Sequence, residues 1–125
     1  MAKKPIGAKV WIIPDSYLPE QSAGELKSHE STCVLNLSSR PAKVKLTVYF
    51  EDREPPEGFE AAFPPLQTVH IRLDRLKSCR GEAIPVAKPT ALKVESDVAV
   101  VVQHTWLDTT QPALALMTAV AFPSR

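Results

Sequence analysis

Twelve prolines are spread along the 125 residues of this chain, and no other feature limits its fold as strongly. Proline fixes φ and has no backbone N–H, so it is excluded from helix interiors and from central strands. Prolines at this spacing permit only short elements separated by turns, which favours an all-β fold over a helical bundle. The length suits one domain spanning residues 1–125. A domain of that size buries roughly two thirds of the surface its unfolded chain exposes.

Hydropathy patterning locates the strands. Val44, Leu46, Val48 and Phe50 alternate with Lys45, Thr47 and Tyr49, the clearest period of two in the chain. Residues 10–13 form a short apolar run that should stop at Pro14, and residues 31–37 read as a second strand. Residues 51–58 are an acidic, proline-containing loop, and residues 59–63 a short strand. Val69, Ile71 and Leu73 point away from Thr68, His70 and Arg72. Residues 75–90 form a long connection, followed by two predicted strands, 92–94 and 98–104, around Glu95, Ser96 and Asp97. Residues 113–122 fit either a helix, by propensity, or a strand, by alternation. The fold expected is a single-domain antiparallel β-sandwich of jelly-roll type, with about seven or eight short strands.

Several function classes are disfavoured. Fifteen basic against fourteen acidic residues give a net charge of +1, without the basic excess that phosphate contacts demand, so no nucleic-acid partner is expected. The first residues lack the apolar core of a secretion signal. The longest apolar run, 98–102, is far short of a membrane span. Cys33 and Cys79 are then expected free in a reducing, cytoplasmic setting, Cys33 as a small core residue and Cys79 in a loop. His29, His70 and His104 lie in separate segments without metal-site spacing. No nucleophile elbow or phosphate-cradling glycine loop occurs. The reading is a non-enzymatic protein with no metal and no cofactor.

What remains is polar residues flanking strands: Ser28, His29 and Glu30; residues 52–54; and Gln103, His104 and Asp108. Together with the aromatic faces of Trp11, Tyr17 and Trp106 they suit a polar, ring-shaped ligand such as a sugar. They also suit, and by themselves favour, a core tryptophan with polar groups satisfying turns and caps. The residues by themselves leave both readings open.

Five stretches in order, WIIPDSYLP (11–19), SHESTCVLN (28–36), YFEDREP (49–55), HIRLD (70–74) and ESDVAVVVQHTWLD (95–108), resemble the Anabaena sensory rhodopsin transducer family over nearly the whole chain. The resemblance implies a β-sandwich that assembles as a cytoplasmic homotetramer and binds small molecules, sugars or related metabolites, without catalysis. It implies as second reading an adaptor docking on a membrane receptor such as a sensory rhodopsin. By motif match the ligand-binding residues are Trp11, His29, Glu30, Asp52, Gln103, His104 and Asp108. Glu30 and Asp52 would accept hydroxyl hydrogens, Gln103 and the histidines would line the rim, and Trp11 would offer a ring face. Alanine at His29 and Glu30 is expected to abolish binding without unfolding. The 98–102 run would supply a symmetric interface. Two departures stand out: Trp106 where the family usually has arginine, and Ser16 where it usually has glycine.

Overall fold

A computed structural model describes residues 4–56 and 58–124. Among them are eight strands and no helix: β1 (Ala8–Ser16), β2 (His29–Asn36), β3 (Ala42–Phe50), β4 (Phe59–Phe63), β5 (Gln67–Arg72), β6 (Thr90–Asp108), β7 (Ala115–Val120) and β8 (Phe122–Ser124). Every pairing is antiparallel, and all eight strands belong to one hydrogen-bonded network, an all-β arrangement consistent with a sandwich.

The organising element is β6, 19 residues long. Its first half lies between β1 and β3, and β8 and β4 extend that leaf outward. Its second half lies between β2 and β7, and β5 extends β2. Even-numbered residues from Thr90 to His104 are buried without interruption, so one side of β6 faces the interior in both leaves. Val94, Val100 and Val102 are completely inaccessible and join Trp11, Ile13, Val34, Leu46, Val48, Ile71 and Leu73 in one apolar cluster.

Three sequence expectations are corrected. The two strands predicted at 92–94 and 98–104 are one strand. The polar residues between them do not turn the chain; they serve an irregular join. The β1 register jumps from Ala8↔Val100 to Val10↔Glu95, Ser96 Oγ accepts the Val98 N–H, and Asp97 Oδ1 accepts the Lys43 N–H at 2.8 Å. The first strand does not stop at Pro14, because the register shifts between Ile13 and Ser16, where the missing N–H costs no ladder bond. Cys33 is half-buried rather than a core residue: Glu30, Thr32, Val34 and Asn36 take the inner face of β2, which leaves Cys33 on the outer one. The 98–102 run is central to the sheet, with Val98, Val100 and Val102 buried within the chain, so only the half-buried Ala99 and Val101 are left on its outer face.

The ambiguous 113–122 segment is strand from Ala115 to Val120 and again from Phe122, and not helix. It changes leaf at Ala121, which is buried and donates its N–H to Val102 O, so β7 pairs with β6 while β8 pairs with β1. Every residue of β7 is exposed.

Near the start of β1 the chain passes directly over Val100. Gly7 has φ +102°, and a Cβ there would lie 2.0 Å from Val100 O. The Trp11 indole N–H reaches the same carbonyl at 2.9 Å and Ala8 O at 3.0 Å. Gly7→Ala combines a clash with backbone and a disfavoured φ, and is expected to cost at least about 2 kcal/mol, read as a lowered urea midpoint at unchanged m-value.

Candidate functional site

Two residues singled out in the sequence, Glu30 on β2 and His104 on β6, meet in the interior, each about 1% exposed. Glu30 Oε1 lies 2.7 Å from His104 Nε2 and accepts the Ser16 hydroxyl at 2.8 Å, while Oε2 accepts the Tyr17 backbone N–H at 2.6 Å. The other ring nitrogen, Nδ1, sits 3.1 Å from Thr32 Oγ1. Every polar atom of the two side chains is therefore engaged, and the loop after β1 is tied through Ser16 and Tyr17 to the opposite leaf. Ser16 is not in a positive-φ conformation, so serine in place of glycine carries no backbone strain here, and its hydroxyl supplies a bond that glycine lacks. Ser28 and Thr109 form a second buried knot next to this one: Thr109 N–H donates to Ser28 Oγ at 2.8 Å, and Thr109 Oγ1 donates to Leu26 O at 2.8 Å.

The other sequence-derived residues are dispersed. Trp11 is buried in the core with its N–H engaged as described. His29 lies on the outer face of β2, its Nδ1 2.8 Å from Lys27 O. Gln103 is exposed and bonds to Thr118 on β7. Asp108 is exposed and caps the following turn by accepting from the N–H and hydroxyl of Thr110, bonds that hold its carboxyl below the ordinary range. Asp52 is an exposed loop residue, 3.6 Å from Lys88 Nζ and 4.0 Å from Arg53 Nε. His70 is exposed on β5, and no group of three or more metal-ligating side chains converges among the described residues.

Two concavities adjoin these residues. One is a crevice of about 430 Å³ where residues 115–124 change leaf, lined by Ile12, Pro14, His104, Trp106, Met117, Ala119 and Phe122. Trp106 and His104 meet in a T-shaped contact, ring centroids 4.7 Å apart and planes at 77°. The second is a cavity of about 390 Å³ at the end of β3, between the 51–58 and 76–86 loops. Val48, Phe59 and Ile84 are its apolar floor, and Arg53, Glu54, Ser78 and Glu82 stand at its rim. The Arg53 guanidinium lies over the Phe50 ring, 4.1 Å from its centroid. The 78–82 turn is held by its own backbone: Ser78 N–H donates to Glu82 O at 2.8 Å and Gly81 N–H to Ser78 O at 2.9 Å. Neither concavity was legible in the sequence, because each joins strand ends to loops distant along the chain. The buried knot was partly legible. Glu30, Thr32 and Asn36 share the β2 face of Val34, which marks them as inward-facing polar groups.

The start of β2 is fixed further by Asp74, whose side chain is 6% exposed. Leu73 N–H donates to Glu30 O at 2.9 Å, and Arg72 grips Asp74 through Nε at 3.0 Å and Nη2 at 2.8 Å. Burial pushes the Asp74 carboxyl up, but the Arg72 hydrogen bonds and the charges of Arg72 and Lys27 outweigh it and hold the carboxyl below its ordinary range. A carboxyl lowered on folding contributes stability that is complete above the unfolded value of about 3.9 and is lost as pH falls through the folded value. Asp74→Asn is therefore expected to destabilise the protein at pH 7 and to converge with the parent in strong acid, in urea titrations across pH.

Glu30→Ala or His104→Ala strips one member from a buried hydrogen-bonded pair and is expected to cost about 3–5 kcal/mol in the same assay. Alanine at His29 and Glu30 together thus perturbs the fold and is not the clean probe of binding that the sequence suggested.

Residues 6–123 match the family described as Anabaena sensory rhodopsin transducer. No curated protein matches the sequence. Among solved structures, that of Thermotoga maritima 1070 is similar at 36% identity and a TM-score of 0.85, over 95% of this chain and 97% of that one. The Anabaena sensory rhodopsin transducer is similar at 34% identity and a TM-score of 0.75, over 84% and 92%.

Proposed function

The chain belongs to the Anabaena sensory rhodopsin transducer family, and on that premise we propose that it is a non-enzymatic, cytoplasmic signalling domain that binds a small hydroxylated ring compound, such as a sugar, and works as a homotetramer. The observation that carries the ligand reading is the cavity beside Phe50. Its apolar floor suits the flat face of a sugar ring. Its rim offers carboxylates as acceptors, a guanidinium as donor and a serine hydroxyl as either. Its volume falls in the range of small-molecule sites, about 300–1,000 Å³. Asp52, carried over from the family pattern, adjoins the rim through Arg53. The buried Glu30–His104 pair supports binding over catalysis, since its polar atoms are turned to one another.

Self-assembly is supported by β7. Its outer edge has no strand beside it among the described residues, and residues 113–122 contain no charged side chain. Leu116 and Val120 are each 70% exposed. Open edges are ordinarily protected by charge, proline or a cover, and none of these stands on β7. Antiparallel pairing of two copies along this edge is self-complementary and buries both stripes. Two such pairs joined through a second surface make the tetramer. The adaptor reading, docking on a membrane receptor of the sensory rhodopsin kind, draws on the same strip. No helix among the described residues is long and apolar enough to cross a membrane.

A thermal-shift panel of monosaccharides and disaccharides tests the ligand reading. A binder at a hundredfold excess over its dissociation constant is expected to stabilise by about 2.7 kcal/mol and to raise Tm by several degrees. The shift should disappear in an Arg53→Ala/Glu82→Ala variant; absence of any shift across the panel removes the sugar. Light scattering tests assembly. The parent is expected at four times the 13.7 kDa chain mass, and Leu116→Lys/Val120→Lys as a smaller species. A monomeric parent at micromolar concentration ends the self-assembly reading and leaves the strip to a receptor.

A further inference from the structure

We propose that the crevice between β1 and the β7–β8 crossing is a second ligand site, taking a small, flat, uncharged molecule that accepts a hydrogen bond from the Trp106 indole N–H. The Trp106 Nε1 atom is buried and has no partner, the one buried side-chain nitrogen or oxygen so placed among the described residues. A buried donor without an acceptor is costly and rare in native proteins, so such a group calls for an explanation. The ring that carries it lines the crevice. His104, which also lines it, has no hydrogen to offer, because Glu30 and Thr32 engage both ring nitrogens. The T-shaped contact with His104 fixes the plane of the indole. The donor set is therefore a single N–H, which selects an acceptor such as a carbonyl.

The remaining lining selects the rest of the molecule. Ile12, Pro14, Met117, Ala119 and Phe122 are apolar and form the sides of a slot of about 430 Å³. No Lys or Arg lines it, and the one charged side chain there is Asp15, so an anion has no counter-charge. Met117 and Phe122 are more than half exposed and can yield to let a molecule reach the buried indole N–H. The site is separate from the cavity beside Phe50. Met117 and Ala119 pair with Trp106 and His104 on the inner face of β7 and Leu116 pairs with Leu107 on the outer one, while Val120, at the end of β7, borders both the crevice and the self-assembly stripe.

The probe pair is acetophenone and ethylbenzene, similar in shape and differing in the carbonyl. The chain has two tryptophans, so a ¹⁵N-labelled sample gives two indole N–H resonances, and Trp106→Phe assigns them. Acetophenone is expected to move the Trp106 resonance saturably and leave that of Trp11 in place. Ethylbenzene should bind at least tenfold more weakly, and Ala119→Leu, which narrows the slot, should weaken acetophenone by at least tenfold while the amide spectrum stays dispersed. The inference is overturned by the absence of a saturable shift, by equal affinity for the two probes, or by undiminished acetophenone binding in folded Trp106→Phe. It is also overturned if the Trp106 resonance moves on dilution without probe, since the occupant is then a second copy of the chain.

Discussion

The structure depends on β6 serving two leaves with one unbroken inward face. A strand of 19 residues is more than three times the usual length, and few chains keep strict alternation over such a distance. Here Leu92, Val94, Ser96, Val98, Val100, Val102 and His104 hold it, so the core is continuous from one leaf to the other. Because side chains on a strand alternate, a one-residue slip anywhere along β6 would turn its valines to solvent. Four strands take their register from it directly: β1, β2, β3 and β7. The irregularity at Ser96 and Asp97 is the point at which β1 adjusts without disturbing that alternation.

Against this apolar spine the buried polar groups act as fasteners. Glu30 is bonded by groups from β1, β6 and the segment after β1, so one carboxyl ties three parts of the chain to the rim of a leaf. Burying a polar group is tolerable only when its hydrogen bonds are made, and this geometry makes them. The cost of misplacing any partner is correspondingly high, which gives the knot specificity that hydrophobic packing alone does not confer. Trp106, two residues along from His104, is the exception: its ring is packed and its N–H is not matched. Polar mismatch in an otherwise matched interior tends to fall at sites of function.

The strands were legible in the sequence wherever one face alone is buried. Val44, Leu46, Val48 and Phe50 announce β3 because lysines and threonine mark its other side. β6 was read as two strands because Glu95, Ser96 and Asp97 look like a turn, when tertiary pairing with β1 and β3 uses them in place. The 113–122 segment had no readable period because β7 buries neither face within the chain, so nothing forces polar residues onto one side of it. At the site, the inward direction of Glu30 and Thr32 follows from local alternation. Their meeting with His104 does not, since it depends on β2 pairing with β6, which brings Glu30 to a residue 74 positions away. Cavities are less legible still, being shaped by loops whose course no local pattern encodes.

The same topology bears on how a domain of this kind transmits a signal. The cavity beside Phe50 sits at the end of β3, which pairs with β6 from Ser96 to Thr90. The exposed strip sits on β7, which pairs with β6 from Gln103 to Asp108. One strand thus joins both surfaces, yet a stiff, fully paired strand does not by itself couple two sites; coupling requires an element with two arrangements that each site biases. The central part of β6 is locked by completely buried valines and is not such an element. The least buried part of the sheet is the β7–β8 crossing, where exposed side chains surround a single buried alanine, Ala121. An element able to couple the two surfaces therefore belongs to the periphery of the sheet and not to its centre. Leu116, Met117 and Val120, apolar and more than half exposed, set β7 apart from the core in this respect.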